Sequence, residues 1–435
     1  MKKTIVALAV TLGPALLGQN IGNASGPSIL SQGANTIGQR SGQDLDLRFF
    51  ANGSGIYDTG LLPYAVQNGA LVKPEPLWGL EAGIGAYGRH TFRRSVLGLD
   101  YNGNFRHYTQ ATNYDGVNQN LNLGYTWQKS RRLLIDTTAS AGTQTYGTAI
   151  SGDPSTLVNG SSLLFDDRTT FVQAGMNTTY LLSSRTSVTV GGTGYTIRRK
   201  AQQLVGANGY NLSGSIRHQV GRDTTVGVSY QHTHYDYPRA FGESDLNTYT
   251  GLLSRTFART WRLDLTAGVY TSEVQGIQNT ALDPTIAALL GVGSVQTIFY
   301  KRNIMPTGTL ALTKTFRRSS VSANYARSIS PGNGLYLTSR LEAYGASYSY
   351  TGLRRWTFSV QGSTSDMRAL GQQLLRYRYL SGSTTVNYRV AGPLNVYATY
   401  MRRRQDINST LFQQDASRVS FGIAFQPGDI PLSFH

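Results

Sequence analysis

The 435-residue chain has no cysteine, which excludes a disulfide framework and a thiolate metal site and suits an oxidising compartment. It has no run of 18 apolar residues outside its extreme N-terminus, so no segment beyond that point can cross a bilayer as a helix. Any membrane crossing must then be made by a closed barrel, the one other fold that satisfies every backbone polar group in hydrocarbon. Charged residues make up only 14%, too few for charge-laced helices. GxxxxGK[ST], HExxH and GxSxG are all missing, which removes the commonest phosphate-cradle, zinc and serine-nucleophile signatures.

What is present favours pleated, half-buried strands: 27 Tyr, 49 Gly and abundant Thr, Ser and Asn. Met1-Lys2-Lys3, the apolar stretch Ile5 to Leu17 and Gly22-Asn23-Ala24 have the layout of a secretory signal over residues 1–24, with a mature chain starting near Ser25. Residues 25–42, rich in Gly, Ser, Asn and Gln, read as a flexible leader, and 427–435 as a short tail. Between them, 43–426 repeats one pattern.

That pattern is alternation. Leu97, Leu99, Tyr101 and Phe105 share one parity while Gly98, Asp100, Asn102, Asn104 and Arg106 hold the other. Trp261, Leu263, Leu265, Ala267 and Val269 oppose Arg262, Asp264 and Thr266, and Val419, Phe421, Ile423 and Phe425 oppose Arg418, Ser420 and Gly422. Parity slips near Gly192 to Gly194 and near Gly382 predict β-bulges.

Short turns, most of them basic, punctuate the strands: Phe92-Arg93-Arg94-Ser95, Lys129-Ser130-Arg131-Arg132, Ser183-Ser184-Arg185, Gly221-Arg222-Asp223, Ala258-Arg259-Thr260, Phe316-Arg317-Arg318, Leu353-Arg354-Arg355 and Ala391-Gly392-Pro393. Arg94 to Arg131, Arg185 to Arg222, Arg222 to Arg259 and Arg318 to Arg355 are each 37 residues apart, so a hairpin is the repeating unit. Longer intervals place their extra residues in the opposite loops, about 148–166 and 273–303. With one further loop at each end, the eight turns predict an all-β, antiparallel up-and-down transmembrane barrel of about 18 strands, 16 as the fallback. Trp127, Trp261 and Trp356 beside the short turns would form an interfacial aromatic girdle.

From Gln43 to Phe425 the chain resembles the outer-membrane β-barrel, porin-like class, and Val419 to Phe425 resembles that class's terminal insertion signal. The resemblance implies a bacterial outer-membrane location, short turns and both termini in the periplasm, contact with lipids and lipopolysaccharide, and delivery by the barrel-assembly machinery. Size, strand count and arginine-rich polar faces are also similar to barrels that export anionic exopolysaccharides, such as the alginate exporter.

A barrel this wide can hold an aqueous channel, whose chemistry then depends on inward residues. Parity nominates Arg89, Arg106, Arg217, Arg262, Arg376, Arg378, Arg403 and Arg418 as a lumen wall for anions, against Glu81, Asp100, Asp136 and Asp264; Arg402 and Arg404 take the outward parity. In the 273–303 loop, Asp283 and Pro284 supply a cap and a first-turn proline for a short apolar helix ending at Leu289 and Leu290, a candidate constriction. The expectation is a channel for small anionic solutes or an anionic polysaccharide, the polysaccharide exporter working with a periplasmic partner; a plugged structural or adhesive barrel is the alternative. A homo-oligomer is compatible with either.

No enzyme, cofactor or metal is expected. His232-Thr-His234-Tyr-Asp236 with Glu243 and Asp245 has metal-capable types, but His232 and His234 carry outward parity. Gly83-Ile-Gly85-Ala-Tyr-Gly88 matches a dinucleotide fingerprint in letters, yet lies within a strand and leads to no helix. Basic residues recur one hairpin apart and do not gather in a patch, which argues against nucleic acid.

Overall fold

The computed structural model describes residues 45–59, 65–67, 70–72, 75–109, 115–145, 168–200, 202, 204–258, 260–281, 294–331, 337–370, 376–407 and 413–425. The expected signal (1–24), leader (25–42) and tail (427–435) lie outside them. The strands are β1 Leu45–Asp58, β2 Ala65–Gln67, β3 Ala70–Val72, β4 Leu77–Thr91, β5 Ser95–Tyr108, β6 Gly116–Gln128 and β7 Leu133–Gln144. They continue with β8 Thr169–Leu181, β9 Thr186–Arg199, β10 Ala207–Gln219, β11 Thr224–Asp236, β12 Gly242–Phe257, β13 Trp261–Ala281 and β14 Ser294–Thr315. The last are β15 Ser319–Ser330, β16 Ser339–Tyr350, β17 Trp356–Ala369, β18 Arg376–Ala391, β19 Leu394–Ile407 and β20 Gln413–Phe425.

Each barrel strand pairs antiparallel with its neighbours, and β1 pairs with both β4 and β20, so β1 and β4–β20 form one closed sheet of 18 strands. Closure removes every sheet edge; β2 and β3 pair only with each other. The outward face is oily: Leu80, Val228 and Phe421 are each more than 60% exposed, beside Ile84, Leu212, Val360, Leu380 and Ile423. A surface of that kind aggregates in water and is at home in hydrocarbon. This is the architecture of the outer-membrane β-barrel class.

All eight short turns lie at one end of the barrel, together with Leu45 and Phe425. Their chemistry recurs: the Ser130 hydroxyl accepts from the backbone N–H groups of Arg132 and Leu133 at 3.2 and 3.1 Å, and Ser183 from Arg185 and Thr186 at 3.2 and 3.0 Å. Beside these turns the girdle is built from stacked rings, with Phe257 and Trp261 5.8 Å apart and the Lys314 ammonium 4.6 Å over Trp261.

The expectations for the 273–303 loop, for the bulges near Gly192 to Gly194 and Gly382, and for the faces of Arg376 and Arg378 need correction. Residues 273–303 are not mostly loop, because β13 continues to Ala281 and β14 begins at Ser294, in unbroken register from Trp261↔Lys314 to Ala281↔Ser294. The helix candidate with Asp283, Pro284, Leu289 and Leu290 lies outside the described residues. No bulge interrupts Gly192 to Gly194 or Gly382, whose registers run straight through; the irregularity in β18 falls at Val390, between Arg389 and Ala391.

The apparent slips have one physical cause. Toward the loop ends of β9 and β18 the polarity of the two faces inverts while the register does not. On β9, Val188 and Val190 face out near the turn, whereas Ile197 faces in, buried, and Arg198 faces out. On β18, Leu380 faces out and Tyr377 faces in, so Arg376 and Arg378 are outward and do not line the lumen. Strands that leave the hydrocarbon no longer need an oily outer face, and their inner face is free to pack.

Candidate functional site

The lumen has two halves. Near the short turns its wall is polar and half-exposed, with Asp100, Thr126, Asp136, Ser187 and Arg217 all partly accessible. Toward the loops the inward side chains are buried: Ile56, Leu77, Tyr108, Ile197, Leu341, Met367 and Tyr377 are each at most 3% exposed, and the charged Asp58, Arg106, Arg199 and Arg403 are buried among them. Sequence parity missed this layer because it takes inward apolar residues for a change of register.

Part of what packs that layer is visible. Leu204 is fully buried. The connection between β15 and β16 reaches across to β12: Thr338 hydrogen-bonds the Tyr237 hydroxyl at 2.8 Å and the Ser244 hydroxyl, and Leu337 packs on the cluster of Ala207, Tyr235, Tyr237 and Leu246. Burial raises the Tyr237 phenol well above its ordinary range, so it stays protonated in this contact.

Three of the nominated arginines converge. Arg403 donates through one Nη to both oxygens of Asp58 at 3.1 and 3.0 Å. Glu81 accepts from Asn104 at 2.5 Å and from Arg106 Nε at 3.3 Å, and pairs with Arg418. These side chains come from β1, β4, β5, β19 and β20, so the cluster spans the seam where the first and last strands close the barrel. Asp58, 1% exposed, was not nominated from sequence: it ends the first strand, where a polar residue reads as the start of a loop.

Arg89, Arg217 and Arg262 also face inward, nearer the turns, but apart from one another on β4, β10 and β13. Arg262 pairs with Asp264 at 2.8 Å, and Asp264 also accepts from Ser254 at 2.6 Å. Asp136 accepts from Thr126 at 2.7 Å. Arg199, outside the nominated set, faces inward, buried, and donates to Thr169 at 3.2 Å; reading β9 without a bulge would have found it.

The remaining motifs take structural places. On the outward face, His234 pairs with Asp245 at 2.9 Å and stacks on Tyr210 with ring centroids 5.3 Å apart. Among the described residues no three His, Asp or Glu side chains form a metal-sized group. Gly83 and Gly85 face inward opposite β1; a Cβ at Gly83 would lie 2.1 Å from Asn52 Oδ1, and one at Gly85 2.1 Å from the Phe50 ring. These glycines make room for neighbouring side chains in the wall.

No family model and no curated protein matches the chain. Among solved structures it is similar to OpdQ of Pseudomonas aeruginosa (13% identity, 89% of this chain and 98% of that one, TM-score 0.42). It is also similar to OccK9 (OpdG) of the same organism (14%, 88% and 98%, TM-score 0.43) and to a BenF-like porin from Pseudomonas fluorescens Pf-5 (9%, 88% and 99%, TM-score 0.41). At that level of similarity the fold rests on the strand pairing itself.

Proposed function

We propose that the protein is an outer-membrane channel for small solutes, with its loops outside, its short turns and both barrel ends in the periplasm, and the packed loop-end layer as its constriction. The observation that supports this best is the contrast along the lumen: an accessible polar vestibule near the turns and a buried, packed layer at the loop end, where Leu337 and Thr338 cross to β12 and the Asp58, Glu81 and Arg403 cluster sits in the wall. The wall favours anions only weakly. Six nominated arginines face inward, with Arg199 a seventh, but Asp58, Glu81, Asp100, Asp136 and Asp264 face inward too. A bulky anionic polysaccharide would need a wider mouth than this layer suggests, so export is the weaker use of the same channel.

The same burial supports a second reading, a sealed barrel with a structural or adhesive role. Recording purified protein in planar bilayers separates the two. The expected result is discrete conductance steps with a modest anion preference. Silence at every voltage would replace the channel with the sealed barrel, and firm cation preference would remove the arginines from the explanation.

A further inference from the structure

Five arginines gather on the outer wall of β17, β18 and β19 at the loop end, where no channel role uses them. Arg368, Arg376, Arg378, Arg402 and Arg404 share the outward parity of Val360, Leu380 and Tyr400, which are about half exposed. The register places Arg404 beside Leu380 and Arg402 beside Gly382, on the upper margin of the oily belt. Arg378 lies two residues beyond Leu380, roughly 7 Å at ordinary strand rise. Three aspartates share this face, and the adjoining β16 adds the outward Arg340 and Glu342, the latter 3.3 Å from Arg327. Asp366 is taken up by Arg368 and Arg376, with Nε contacts of 3.2 and 2.8 Å, and Asp415 lies opposite Arg404 in register and 3.9 Å from Arg402. Asp406 stands opposite Arg378 in register, yet Arg378 is exposed and has no ion pair among the described residues. The face therefore keeps positive charge in excess directly above lipid-facing apolar side chains.

We propose that this face is a binding site for the phosphates of an anionic glycolipid in the outer leaflet, whose acyl chains lie along Val360, Leu380 and Tyr400 while Arg378, Arg402 and Arg404 hold the headgroup. The chemistry is that of guanidinium forks on phosphate oxygens at the edge of hydrocarbon, where water competes poorly. Belt and charge act together, so a free phosphate ion lacks half of the interaction. Binding here does not require the lumen to conduct, and the site stands or falls apart from the channel.

Native mass spectrometry of the whole protein, released from detergent with bisphosphorylated lipid A or its dephosphorylated form, tests the site. Wild type should retain the bisphosphorylated lipid, and inorganic phosphate at equal concentration should not displace it. Combining Arg378→Gln, Arg402→Gln and Arg404→Gln should weaken retention on the order of 100-fold, since each arginine near an anionic surface contributes roughly fivefold. Arg131→Gln with Arg132→Gln, in a short turn at the far end, should change nothing. Heat-modified gel migration reports that each variant is folded, and Arg378→Gln alone provides a milder step in the same direction. Equal retention of the dephosphorylated lipid, undiminished retention by the folded triple variant, or full displacement by inorganic phosphate would each overturn the site.

Discussion

Asp58 and Arg403 are separated by 345 positions in the chain and by 3.0 Å in space. Neither is exposed, and Glu81, Asn104 and Arg106 beside them are buried as well. A buried pair of this kind contributes little over an apolar pair of the same shape, but losing one partner leaves an uncompensated charge. Asp58→Asn should therefore destabilise the barrel by about 3 kcal/mol, read as a lower unfolding temperature on heat-modified gels. Adding Arg403→Met should recover much of that loss; if the double variant is no better than the single, the pair is not what Asp58 is for. The sequence made Arg403, Arg106 and Arg418 visible as inward arginines through parity alone. It could not show that they meet, because that depends on β1 closing against β20.

The strands themselves were largely legible at the scale of elements. The eight short turns, their 37-residue spacing and the oily outward parity follow from local rules: side chains alternate along a strand, and turns need small or polar residues. Those rules assume one environment along each strand. Residues 195–199, 270–276 and 376–379 break the assumption, since there the outer face meets water and the inner face meets packing. Inverted polarity reads locally as a bulge at Gly382, whereas the unbroken register turns Arg376 and Arg378 outward. The proposed constriction rests on Leu337 and Thr338 just before β16, which carry no helix signal. Replacing Leu337 and Thr338 with glycine should loosen its hold on Tyr237 and Ser244 and raise single-channel conductance by roughly twofold or more, as an unpinned loop samples open positions. Unchanged conductance would move the constriction elsewhere.

Over the whole molecule, charge is better understood by location than by sum. The formal net charge of +17 is spread over basic turns, the outward arginines of β17–β19 and a lumen wall where carboxylates nearly balance arginines. Anion preference should accordingly be slight and fall with ionic strength, as screening shortens the reach of the few uncompensated charges. Arg217→Gln with Arg262→Gln, both in the accessible half, should lower the anion-to-cation permeability ratio about twofold in reversal-potential measurements, by removing field from a low-dielectric wall. A ratio that does not move would assign selectivity to the packed mouth.

The sequence by itself determined the class, the turn positions, the near count of strands and the face that meets lipid, because alternation and turn chemistry are local and repeat in every hairpin. Tertiary structure decided which charges meet across the closing seam, where the lumen is packed and which arginines face outward near the loops. Those outcomes depend on strands hundreds of residues apart and on where each strand leaves the membrane, and no local pattern carries either.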